Sequence, residues 1–131
     1  MAYEVPGFKL PAHVAGADLS DNQYYVVEIS DEGEVGLADD DTDFAVGILQ
    51  DDPDNGEEAE VMVTGVSKVA TQETDISAGD CLTWDANGRV DNVTSGEDTI
   101  IGIALEDSPA SISDDVFITM LLISIGEIDL T

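Results

Sequence analysis

The 131-residue chain reads as an all-β domain, a small β-barrel or compact sandwich built from two related β-units behind an extended N-terminal arm. Three features of the sequence lead there. Short apolar runs rich in Val and Ile are separated at close spacing by Gly, Asn, Asp and Pro turns. No stretch keeps an apolar period of 3.6 residues beyond a single turn near Glu57 or Ser77. Shifted by 55 residues, the chain also aligns with itself without a gap, Tyr24 to Val66 falling on Gly79 to Leu121. Only eight of those 43 positions are identical, among them Gly33 and Gly88, Gly47-Ile48 and Gly102-Ile103, and Val61 and Val116. Strand-like segments nevertheless meet strand-like segments throughout, which is the mark of one β-unit used twice.

Residues 1–22 have no counterpart in that alignment. They hold Pro6 and Pro11 among the spaced apolar residues Tyr3, Val5, Phe8, Leu10 and Val14. Proline removes a backbone donor and turns the residue before it away from helix, so this stretch is predicted to be an arm that lies over a neighbouring surface or adds at a sheet edge. His13 is expected to be an exposed residue of the arm.

Residues 23–131 form the β-domain. In its first unit the strands are Tyr24 to Ser30, Val35 to Leu37, Ala45 to Gln50 and Ala59 to Lys68, with a turn at Asp31-Glu32-Gly33-Glu34 and a loop from Asp51 to Gly56. In the second they are Asp80 to Trp84, Arg89 to Asp91, Ile100 to Leu105 and Val116 to Ile125, with an Asn87-Gly88 hairpin signal after the first. The last strand is apolar on both faces. Val116, Ile118, Met120 and Leu122 suit a core; Phe117, Leu121, Ile123 and Ile125 are left as candidate subunit-interface residues, because a wetted face would alternate with polar residues.

Charge excludes whole classes of partner. Asp and Glu number 30 against 3 Lys and Arg, a net charge of −27, and Lys9, Lys68 and Arg89 form no cluster. Such a chain cannot neutralise phosphates, so neither nucleic acid nor an anionic membrane is expected as a partner. Carboxylate repulsion strains a compact state at low ionic strength, whereas at roughly 1 M salt the screening length falls to about 3 Å. The composition fits work in concentrated salt, as in a halophile. The single Cys81 reads as a small buried residue of a strand. The N-terminus lacks the charge and apolar run of an export signal, and the longest apolar run, Val116 to Ile125, is about half of what a membrane-spanning helix needs.

Candidate chemistry is sparse. Asp39, Asp41 and Asp43, and Asp52 and Asp54, are the only acidic groupings that invite Ca²⁺ or Mg²⁺, and both depart from the EF-hand pattern. Phe44 stands where Gly is required, Gln50 where the bidentate Glu belongs, and Val63 holds that last place for the second cluster. They read as solvated loop charges, with no metal or cofactor expected; a cation-binding β-module of a cell surface or fibre is the alternative. One histidine, no Gly-x-Ser-x-Gly elbow and no base near Cys81 give no enzyme.

Five segments, Ala45 to Leu49, Val61 to Val66, Ile76 to Thr83, Asp85 to Val90 and Ile101 to Leu105, resemble in order and spacing the capsid decoration, or cement, proteins of tailed phages. The resemblance spans residues 24–123. It implies a small β-barrel-like domain that forms a homotrimer on the outside of the head shell and clamps neighbouring subunits of the major capsid protein, a virion component made in the host cytoplasm. The family's N-terminal segment reaches the shell, a role that here would fall to the arm residues Tyr3, Val5, Phe8 and Leu10. Joined to the composition, the resemblance points to a tailed virus of a halophilic archaeon.

Overall fold

The computed structural model describes residues 5–10, 13–42, 44–94 and 99–123, and all the secondary structure among them is β. Tyr3, Asp43 and Ile125 lie outside the described residues. The strands are β1 (Val5–Lys9), β2 (His13–Val14), β3 (Val26–Ile29), β4 (Val35–Leu37), β5 (Gly47–Leu49), β6 (Glu58–Ala59), β7 (Val61–Thr71), β8 (Cys81–Trp84), β9 (Val90–Asn92), β10 (Gly102–Ala104) and β11 (Val116–Leu122).

The 55-residue register is a physical one. β3, β4, β5 and β7 begin at residues 26, 35, 47 and 61, and β8, β9, β10 and β11 at 81, 90, 102 and 116, each 55 positions later. Pairing follows suit: Val27 opposite Leu37 recurs as Leu82 opposite Asn92, and Val26 opposite Ile48 as Cys81 opposite Ile103. The hairpin turns match in detail. Ser30 donates its amide to Glu34 O at 2.9 Å and Asp85 to Arg89 O at 2.8 Å, while the Ser30 and Asp85 side chains accept the amides of Glu34 and Arg89. Symmetry breaks at the fourth strand, for Met62 faces Ile48 whereas Leu121, not Phe117, faces Ile103. Gly47 and Gly102 make that close packing possible in both units. A Cβ there would lie 2.1 Å from Met62 O or 2.5 Å from Leu121 O, which no side chain could occupy.

The second unit closes into a five-stranded barrel in the order β7, β9, β8, β10, β11 and back to β7. β11 pairs with β7 from Val116 opposite Thr71 to Leu122 opposite Gly65, and the ring is completed by Val90 lying parallel to Thr71, whose Oγ1 donates to Val90 O at 2.9 Å. The first unit is closed by different means. Val35, the counterpart of Val90, forms a parallel bridge with Ala15, and Gly16 N donates to Val35 O at 2.9 Å. The N-terminal stretch thus does for the first unit what the end of β7 does for the second. Upstream of Ala15 it runs antiparallel to the chain around β6 and β7: Val14 opposite Glu58, His13 opposite Ala59, Leu10 N donating to Val61 O at 2.9 Å, then Lys9 opposite Met62 and Val5 opposite Val66 with register shifts.

Alternation along the first unit's strands feeds two separate cores. Val27, Leu49 and Val61 join Ala15, Leu19, Val35 and Ala59 in one cluster; Val26, Ile48 and Met62 point the other way, into the barrel with Val69, Leu82, Val90, Ile118, Met120 and Leu122. This sheet is buried on both faces, which is why its strands read as unbroken apolar runs. Each fully buried aliphatic side chain contributes about 1.5–3 kcal/mol relative to exposure.

Two expectations are corrected by these registers. Leu82 takes the inward position on β8, so Cys81 turns outward and is half-exposed instead of buried. His13 is half-buried within β2, where backbone pairing holds it against Ala59, instead of standing free on an arm.

Candidate interaction surface

Because Ile118, Met120 and Leu122 fill the barrel, Phe117, Thr119 and Leu121 point out of it, with Thr119 fully covered. Directly opposed residues share a face, so the outer row through Leu121 runs from Cys81 on β8 to Ile103 on β10, Leu121 on β11 and Val66 on β7. All four are half-buried, as is Ile123 just beyond the strand. Phe117 is 44% exposed. The Tyr24 ring meets it edge-on, with centroids 5.6 Å apart and planes at 75°, and Lys68 Nζ lies 5.4 Å from the Tyr24 ring centre. β11 itself carries no acid. The Glu106 carboxylate beside it accepts the Thr119 hydroxyl at 2.6 Å and the Thr119 amide at 3.0 Å. Burial would raise the Glu106 carboxyl, but hydrogen bonding, with these two bonds prominent, holds it below the usual range.

The three basic residues are each engaged within the fold. Lys9 pairs with Glu60, Lys68 with the Tyr24 ring, and Arg89 Nε donates to Asp115 Oδ1 at 2.8 Å. Asp115 also accepts from Gln72 Nε2 at 2.8 Å and from the Tyr25 hydroxyl, with the Arg89 guanidinium 5.7 Å from the Tyr25 ring centre. Burial pushes the Asp115 carboxyl up from the ordinary aspartate range, and the guanidinium opposes this; with three donors converging on it, the carboxylate is the form that the geometry fits.

Elsewhere the acids turn to their own loops. Asp39 Oδ1 accepts the Asp41 amide at 2.9 Å and the Thr42 hydroxyl at 3.2 Å, while the Asp54 amide donates to Glu57. Asp39, Asp41, Asp52 and Asp54 are exposed, and among the described residues no group of three or more His, Cys, Asp or Glu is arranged to hold a metal ion. An open groove between Gly16 and the β3–β4 hairpin is lined by Glu28, Asp31, Glu32 and Glu34.

Of the interface candidates, then, Phe117 is exposed, and Leu121 and Ile123, four and six residues further along the chain, are half-buried. Of the arm candidates, Val5 and Phe8 lie in β1, and Leu10 packs against the first unit's cluster. Sequence reasoning missed Tyr24, Lys68, Val66 and Ile103 on the same outer face. A signal for Tyr24 was present, since the repeat aligns it with a glycine, Gly79.

The fold is a two-unit β-domain with an acidic body, on which Phe44, 70% exposed, and Phe117, 44% exposed, are the most exposed large apolar side chains among the described residues. The family model for the phage cement protein matches residues 7–120, so the chain belongs to the phage cement protein family, a structural, capsid-associated class. Among solved structures the chain is similar to the N base of head fibre gp8.5 of bacteriophage phi29, with a TM-score of 0.66 and 18% identity over 88% of this chain and 93% of that one. At that identity the likeness speaks for the fold. No curated protein matches the sequence.

Proposed function

We propose that the protein is a capsid decoration protein that binds the outside of a tailed-virus head as a homotrimer and stabilises the shell. The observation that carries the reading is the family match over residues 7–120 joined to an apolar outer face on β11. Stabilisation of the shell requires only that the protein bind the assembled form, since binding energy adds to the stability of whatever is bound. Phe117, Leu121, Ile123 and Ile125 form the contact between subunits, and the N-terminal segment with Tyr3, Val5, Phe8 and Leu10 reaches the major capsid protein. The excess of carboxylates suits concentrated salt, as in a virus of a halophilic archaeon, where screening removes most of the repulsion between copies. The test is co-sedimentation with emptied heads in molar salt, with a thermal-release assay of the shell. Saturable binding at a fixed ratio to capsid subunits and a raised shell melting temperature are expected; no binding at any salt concentration sinks the reading.

A further inference from the structure

Tyr24 has a backbone φ of +71°, the left-handed region that a bulky aromatic residue rarely enters. Its counterpart one unit later is Gly79, at φ +93°. The two amides do the same work, Tyr24 N donating to Leu49 O and Gly79 N to Ala104 O, each at 2.7 Å. The β-unit therefore needs a left-handed residue at this point, glycine supplies it without strain in the second unit, and the first unit carries a tyrosine under backbone strain. Strain of this kind persists where the surrounding structure holds it, and the half-buried Tyr24 ring packs on one side against the barrel core. The ring reaches the outer face of β11, edge-on to the exposed Phe117 and beneath Lys68.

We infer that Tyr24, with Phe117 and Lys68, is the anchor by which a second copy of this chain docks, an assignment that rests on the homotrimer reading above and gives it its central residues. The occupant follows from charge. A chain of net charge −27 repels its own copy over most of its surface. On this face the strands offer Val66, Lys68, Phe117 and Leu121, none of them acidic, and the Glu106 carboxylate beside them is tied to the buried Thr119. Here two copies meet with the least opposition, and the Lys68 cation lowers the local negative charge further. Aromatic side chains such as Tyr24 and Phe117 are also the ones in which interface energy concentrates.

The experiment is sedimentation equilibrium in about 2 M salt, where the screening length is only a few ångströms, on the full chain and two variants. Tyr24→Gly restores the residue type of Gly79, and Phe117→Thr places a good strand former at an exposed strand position. Both are checked for folding by circular dichroism. Each is expected to weaken self-association at least about tenfold, with shell binding per protomer retained where the shell is saturated. Wild-type association in either folded variant overturns the anchor while leaving the decoration reading intact. Loss of shell binding with association unchanged assigns the face to the shell and overturns it likewise. A wild-type chain that stays monomeric in molar salt overturns both the anchor and the trimer. Should Tyr24→Gly fail to fold, Phe117→Thr together with Lys68→Glu decides the matter by the same readout.

Discussion

Arg89 Nε donates to Asp115 Oδ1 at 2.8 Å, tying the turn after β8 to the residue that precedes β11. The same carboxylate takes Gln72 Nε2 from the end of β7 and the Tyr25 hydroxyl from the start of the first unit. One side chain thus binds three segments of the barrel and links them to the unit outside it. Both partners of the ion pair are about four-fifths buried, with 20% and 21% of the side chains exposed, so it is shielded better than a surface pair.

Asp115→Ala is expected to lower stability by about 1–3 kcal/mol, because it leaves three donors without their acceptor in a poorly hydrated site. Asp115→Asn keeps an acceptor and is expected to cost less. Urea denaturation followed by tryptophan fluorescence measures both, with Trp84 on β8 as the reporter. Equal stability of Asp115→Ala and wild type contradicts the role of this carboxylate as a joint.

Close approach at the repeated glycines makes a sharper prediction. Gly47→Ala and Gly102→Ala each drive a Cβ into a backbone carbonyl that cannot swing aside, and are expected to cost about 3 kcal/mol or more. Gly36→Ala is the control, since nothing lies within 4 Å of the added carbon. It should be neutral or slightly stabilising, as alanine gives up less backbone entropy than glycine on folding. Comparable losses at all three positions would mean that crowding is not what these glycines relieve.

The repeat was legible because its marks are local: turn glycines, a Gly-Ile pair and β-branched runs, all 55 residues apart. The recurrence of the strand positions, and of the first two pairing registers in each unit, follows from them. The closure was not legible. That Ala15 bridges Val35, as Thr71 bridges Val90, depends on contacts between segments that share no sequence pattern, and residues 1–22 align with nothing. The outer face was half legible for a similar reason. Phe117 and Leu121 stand out in an apolar strand, whereas Val66 and Ile103 join them only through cross-strand register, and Lys68 only through the position of the Tyr24 ring.

Truncation separates the two parts of the N-terminal stretch. Removing residues 1–9 takes away β1, which pairs along one edge of β7 with register slips, and is expected to leave a folded protein. Removal through residue 19 also deletes Ala15 and Leu19, 0% and 2% exposed in the first unit's core. That longer deletion opens the sheet and bares Val35, so loss of cooperative unfolding is expected. Circular dichroism with thermal melts distinguishes the two, and a shorter truncation that fails to fold would make β1 part of the structural minimum. Shell co-sedimentation of the 1–9 deletion then reads the proposed capsid contact free of any folding defect.

Charge makes the last prediction, and its sign can be worked out from Glu73. Burial raises the Glu73 carboxyl above the usual range, and the nearby charges of Asp91, Asp75 and Asp85 add to it. A carboxyl whose folded value is raised binds its proton more tightly in the folded state, so it contributes stability below its ordinary value and loses that contribution as pH rises through the raised one. Asp51 acts in the same sense through its own burial and Glu60. Glu106, held low, acts in the opposite sense, its contribution being lost as pH falls. Glu73→Gln should therefore raise the melting temperature at pH 7 in low salt, and the gain should fade as pH falls through the raised value and below the ordinary one. In about 1 M salt the gain should shrink to the part due to burial, since screening over about 3 Å removes the repulsion from the three aspartates. A Glu73→Gln variant that melts with wild type at pH 7 in low salt would show that the raised carboxyl imposes no load on the fold.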